Sequence, residues 1–154
     1  MKKGAIPRLV QAGEGALYPD SLERNLIMSL TDVIEVCTDG SELSLKGVDT
    51  AVELAQSLNL PLLGMTAVLD GKMEQAQKRL AEVEEKAKAA GIQYELVAEP
   101  CKAPYEGILA VGRRHDARFI VMASRGLSTF GSLLLGSETQ KTLAAADRPV
   151  LVIR

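Results

Sequence analysis

The residues whose types and spacing best suit chemistry lie between 123 and 138. Ala123-Ser124-Arg125-Gly126 is followed by nine residues, 127–135, and then by Gly136-Ser137-Glu138. Binding a phosphate requires several backbone N–H groups aimed at one concave spot, with no Cβ in the way. Gly126 and Gly136 allow that approach. A helix opening at Gly136-Ser137 would add its own unpaired N–H groups and the positive end of its dipole. Arg125 and the hydroxyls of Ser124 and Ser137 are further donors for phosphate oxygens. Ser137-Glu138-Thr139-Gln140 has the capping-box form, which makes Ser137 the expected N-cap. Ordinary loop glycines and a plain helix cap produce the same pattern, so its place in the fold has to decide.

A second segment, Thr38-Asp39-Gly40-Ser41, ends the β-branched run that starts at Val33. Asp39 is suited to accept from a base amino group or a sugar hydroxyl, and equally suited to a turn or helix cap. Ala67, near the end of the next apolar run, would offer only backbone groups to a base edge. Other candidates fall away. His115 is the lone histidine, and near the end of a helix its expected role is a dipole-favoured terminal residue. Cys37 and Cys101 form no CxxC, so neither a zinc site nor a disulfide scaffold is indicated. No G-x-x-x-x-G-K-[ST] motif and no evident general base occur, which argues against efficient phosphoryl transfer.

These segments need elements to hold them. From Asp32 onward apolar runs alternate with helical periodicity. Strands are expected at 33–38, 61–69, 92–98, 118–123 and 149–153, with helices at 45–58, 73–90, 105–115 and 137–146. Gly91 is placed to stop the second helix. Strict alternation with short links predicts a single α/β domain. Its form is doubly wound and Rossmann-like: a five-stranded, mainly parallel sheet with helices on both faces. Ligands of such sheets bind beyond the carboxyl ends of the strands, at the switch in strand order. Both polar segments fall at that edge. Residues 1–31 read as an extension, with one short helix suggested by Asp20-Ser21-Leu22-Glu23.

Bulk composition narrows the field. The 154 residues carry a formal charge of −2 without a basic block, and no tryptophan, so a nucleic-acid partner is not expected. No apolar run nears the ~18 residues of a membrane span, and no secretory leader is evident, so the expectation is a cytoplasmic protein.

Val36-Cys37-Thr38-Asp39-Gly40-Ser41, the stretch from Ile120 to Ser137 and the ending Arg148-Pro149-Val150-Leu151-Val152-Ile153 together resemble the universal stress protein family. The likeness runs from about residue 33 to 154, and its specific feature is the G-x-x-G-x9-G-[ST] motif. It implies binding of ATP or another adenine nucleotide, with any Mg²⁺ carried by the nucleotide. Thr38 and Asp39 would meet adenine and ribose, Ala67 the base, and Gly126, Gly136 and Ser137 the phosphates. Gly40, Met122, Ala123, Ser124, Arg125 and Glu138 complete the implied cofactor-binding set. The resemblance also implies a homodimer paired through Val150–Ile153, which would cover an open sheet edge. Four features depart from the family pattern: Ala123 for the first glycine, Glu138 beside the phosphates, Glu35 inside a central strand, and a short link after the second strand. Two other roles stay open on this reading. One is a dimeric interaction module without nucleotide. The other is a slow ATPase or self-phosphorylating protein using Ser124, Ser128 or Ser137.

Overall fold

The computed structural model describes residues 30–126 and 134–154. The anticipated helix near Asp20–Glu23, and Leu127 to Leu133 with Ser128, lie outside the described residues. In chain order the elements are β1 (Ile34–Cys37), α1 (Glu42–Leu58), β2 (Leu62–Val68), α2 (Met73–Ala90) and β3 (Tyr94–Pro100). They continue with α3 (Pro104–Arg114), β4 (Phe119–Ala123), α4 (Ser137–Ala145) and β5 (Val150–Ile153). The sheet order is β3-β2-β1-β4-β5, and every pair is parallel. Strand order therefore reverses between β1 and β4, and the carboxyl ends of those strands form the switch point.

Local chemistry sets the boundaries. Ser41 caps α1 by accepting the Ser44 N–H at 3.2 Å, and left-handed Asn59 ends it. Gly91, at φ 66°, ends α2 as its position predicts. The turn bond from Ile92 N–H to Ala87 O still belongs to the end of α2, so β3 starts at Tyr94 rather than at 92. It runs on to Pro100, which pairs with Val68 at the sheet edge, where a residue lacking N–H is tolerated. Pro104 opens α3, where its fixed φ suits the first helical position.

One face of the sheet packs Ile34, Val36, Leu62 and Val121 against α1 and α2, through Val48, Ala51, Leu80 and Val83. The other packs Val33, Leu63, Met65 and Ile120 against α3, through Ile108, Leu109 and Val111. Burial on both faces explains why the strands read as near-continuous apolar runs.

Glu35 breaks such a run, and the structure leaves it in the core. It is fully buried, and neither carboxyl oxygen has a hydrogen-bond partner among the described residues. Burial pushes its pKa well above the ordinary carboxylate range, although Arg148 and Arg114 pull the other way. The carboxyl fits because residue 112 is glycine: a Cβ there would stand 2.6 Å from Oε2. His115 caps the end of α3, where the sequence placed it. It is fully buried, and its Nδ1 lies 2.8 Å from the Leu30 carbonyl. A carbonyl only accepts, so Nδ1 carries the proton. The Leu30 N–H in turn donates to buried Glu95 at 2.9 Å.

Candidate functional site

At the carboxyl edge a cavity of about 350 Å³ opens between the turn after β1 and the start of α4. This lies at the low end of the ~300–1,000 Å³ typical of small-molecule sites. Met65, Ile108 and Met122 supply apolar walls, while Asp39, Arg125, Ser137 and Glu138 supply polar groups.

The β1 turn is built by its own side chains. The Ser44 hydroxyl donates to Ser41 O at 2.9 Å, which leaves Ser44 Oγ to accept from the Thr38 hydroxyl at 3.1 Å. Thr38 Oγ1 also accepts the Gly40 N–H at 3.1 Å, and the Thr66 hydroxyl donates to Thr38 O at 2.7 Å. Thr38 thus borders the cavity with its hydroxyl already engaged in shaping the turn. Asp39 Oδ1 accepts the Ser41 N–H at 2.9 Å, the turn role weighed from the sequence. Its second oxygen approaches Gly126 so closely that a Cβ there would stand 2.5 Å away. Gly126 therefore lets the turns after β1 and β4 meet.

On the β4 side, the Ser124 carbonyl accepts the Gly136 N–H at 2.7 Å and closes the base of the long loop. Ala123 O accepts from the Thr139 hydroxyl at 2.9 Å, which ties the end of β4 to α4. Gly136, not Ser137, is the N-cap, and no side-chain cap bond forms. The expected capping box is absent because Ser137 is already the first helical residue, and Gln140 turns its side chain to Leu135 O at 2.6 Å. The first helical bond runs from Gln140 N–H to Gly136 O at 3.0 Å. The amides of residues 137–139 thus precede the hydrogen-bond ladder, the arrangement that suits an anion.

Of the anticipated residues, Thr38, Asp39, Ala67, Met122, Ala123, Arg125, Gly126, Gly136, Ser137 and Glu138 all border this cavity. Gly40 and Ser124 do not: Gly40 lies beneath Arg79, and Ser124 is buried. Sequence reasoning did not single out Lys72, Gln75 and Arg79, which also line the cavity. Their spacing of three and four residues places them on one face of the first turns of α2, a signal available in the sequence. Lys72, Arg79 and Arg125 share the lining with Asp39 and Glu138, which therefore carries one net positive charge. Cys37 lies at the floor, where burial, followed by the nearby Glu35, pushes its thiol up and keeps it protonated.

Comparison with known proteins adds to this geometry. The sequence model of the universal stress protein family matches residues 31–154. A Thermus aquaticus protein, the universal stress protein in the QAH/OAS sulfhydrylase 3′ region, is 41% identical over 53% of this chain and 63% of its own length. The match thus spans less than two thirds of that relative. Universal stress protein YxiE of Bacillus subtilis (strain 168) is 29% identical over 77% of this chain and 96% of its own. Among solved structures, a universal stress protein in complex with cAMP matches at 30% identity and a TM-score of 0.68, covering 82% of this chain and 98% of that one. A universal stress protein from Archaeoglobus fulgidus, at 20% identity and a TM-score of 0.69, shares the fold over 82% of this chain and 100% of its own.

Proposed function

The chain belongs to the universal stress protein family, and from that premise we propose that it is a regulatory protein that binds an adenine nucleotide, ATP foremost, at the carboxyl edge of its sheet. The observation that carries this reading is the convergence of both polar turns on one cavity, with Asp39 against Gly126 at their junction. Amides 137–139 and Arg125 would receive phosphates. Asp39 would take a ribose hydroxyl, and Ala67 a base edge through its backbone. The walls formed by Met65, Met122 and Ile108 suit a planar base. The related protein solved with cAMP supports adenine recognition by this type of site. The proposed role is binding rather than turnover, since the sequence offers neither a G-x-x-x-x-G-K-[ST] motif nor an evident general base for attack on a phosphate.

Calorimetry of nucleotide-stripped protein with ATP, with and without Mg²⁺, is the direct test. Micromolar affinity, worth about −8 kcal/mol, is expected. No binding by folded protein would transfer the role to the alternative reading, a dimeric module without nucleotide. That alternative draws on two observations: Glu138 brings a negative charge to the cavity, and the Gly136 N–H is committed to Ser124.

The dimer belongs to both readings. β5 is an edge strand, and Leu151 on it is 38% exposed. Pairing two copies along Val150–Ile153 would satisfy the edge groups of β5. Leu151→Asp should give a folded monomer by light scattering, and a persisting dimer would refute this interface.

A further inference from the structure

We propose that Glu138 limits the phosphate charge the cavity accepts, favouring adenine nucleotides with few phosphates over a triphosphate without metal; this rests on the nucleotide reading above. Two helices begin at this cavity, α3 at Pro104 and α4 at Ser137. Each start attracts an anion. Ala103, the N-cap of α3, makes no side-chain cap bond. Glu138 performs that task from the neighbouring helix, with Oε2 accepting the Tyr105 N–H at 2.9 Å. Lys141 donates to its other oxygen at 3.0 Å and stands 5.5 Å from the centre of the Tyr105 ring.

The anion position at the start of α3 is therefore filled by the chain's own carboxylate. Its hydrogen bonds fix that charge at the start of α3, on the wall of the same cavity that Ser137 and Arg125 line. Lys141 offsets it incompletely, because its ammonium is 52% exposed against 32% for the carboxylate, and water and salt screen the more exposed charge more. A single phosphate held by amides 137–139 and Arg125 feels one fixed repulsion. Each further phosphate adds charge near the same carboxylate, while the start of α3 has no capacity left to receive it.

Glu138→Gln keeps an oxygen for the Tyr105 N–H and removes the charge. Calorimetry of full-length wild type and variant with AMP, ADP and ATP, in EDTA, provides the test. The variant should bind ATP about tenfold tighter and AMP less than about twofold tighter, with ADP between. Equal factors for AMP and ATP, or weaker ATP binding by the variant, would overturn the proposal. Should the variant not fold, Lys141→Gln bares the carboxylate and must weaken ATP more than AMP; an equal loss overturns the proposal as well. If folded wild type binds none of the three nucleotides, the nucleotide reading itself fails and this proposal falls with it. Selectivity that Glu138 does not control, on a protein that does bind, refutes this proposal alone.

Discussion

At the carboxyl ends of β1 and β4, Thr38, Asp39 and Thr139 hydrogen-bond to the backbone of neighbouring turns while bordering a cavity. Toward the amino ends of the same sheet, Glu35, Glu95 and His115 are fully buried, and atoms of each have no hydrogen-bond partner among the described residues. Both regions place polar side chains on a parallel sheet, yet with opposite energetics. The first region keeps its polar groups satisfied on the wall of an open cavity that a ligand can enter. The second seals them in, where each orphaned group costs about 1–3 kcal/mol. Substitutions at the carboxyl edge should therefore change binding more than stability, and substitutions around Glu35 the reverse.

The largest expected effect tests the first half of that contrast. Gly126 is exposed, so Gly126→Val should leave the melting temperature without ligand nearly unchanged. Its Cβ cannot coexist with the present position of the Asp39 carboxylate, so that side chain must swing away from the junction and the valine branch stands where a phosphate would approach. Affinity for ATP should fall by more than about 100-fold, or roughly 2.7 kcal/mol. Thermal shift with and without ATP measures both quantities. Retained protection by ATP would show that the junction of the turns does not hold the nucleotide.

Glu35 tests the other half. Burial raises its folded pKa, so the folded state holds that proton more tightly than the unfolded chain does. The stability it contributes is complete below the ordinary carboxylate range. It is lost as pH rises from there toward the folded pKa. Glu35→Met replaces the carboxyl with an unbranched apolar chain of similar length. It should raise stability at pH 8 by about 1–3 kcal/mol, and by less at pH 4, with ATP affinity unchanged. Urea unfolding at the two pH values measures the difference. A variant less stable than wild type at pH 8 would show that Glu35 contributes an interaction worth more than its burial costs.

The same contrast explains what could be read from the sequence. Strand and helix order, sheet class and the carboxyl-edge location were legible because burial on both faces leaves apolar runs, and turns leave glycine and aspartate. Arg125, Gly126 and Gly136 were legible because the x9 spacing is specific. The N-cap was not: Ser-x-x-Gln satisfies the capping-box pattern, but the Gly136 N–H bond to Ser124 O fixes the helix start one residue earlier than that pattern implies. Nor was the partner of His115, because the Leu30 carbonyl that its Nδ1 meets lies 85 positions away in the chain. Glu35 could be marked as anomalous. The glycine at 112 that makes room for it could not be connected to it before the fold was known.

The smallest effect concerns the wall that the motif did not reveal. Arg79 lies over Gly40, its Cγ 3.2 Å from where a Cβ would be, which sets the side chain beside the Asp39 turn. Gly40 permits this at φ 81°, a conformation that suits glycine. Among the described residues no ion pair engages Arg79, so its charge remains available to the cavity. It is also half-buried, whereas Lys72 is exposed, so water and salt screen Arg79 less. Arg79→Ala should weaken ATP about three- to tenfold, near 1 kcal/mol, and Lys72→Ala by less. Raising the salt concentration should narrow the gap between wild type and the Arg79 variant, because the lost contribution is electrostatic. A gap that persists at high salt would instead point to packing of the arginine stem over Gly40. In that case the α2 wall would support the turn without attracting the ligand.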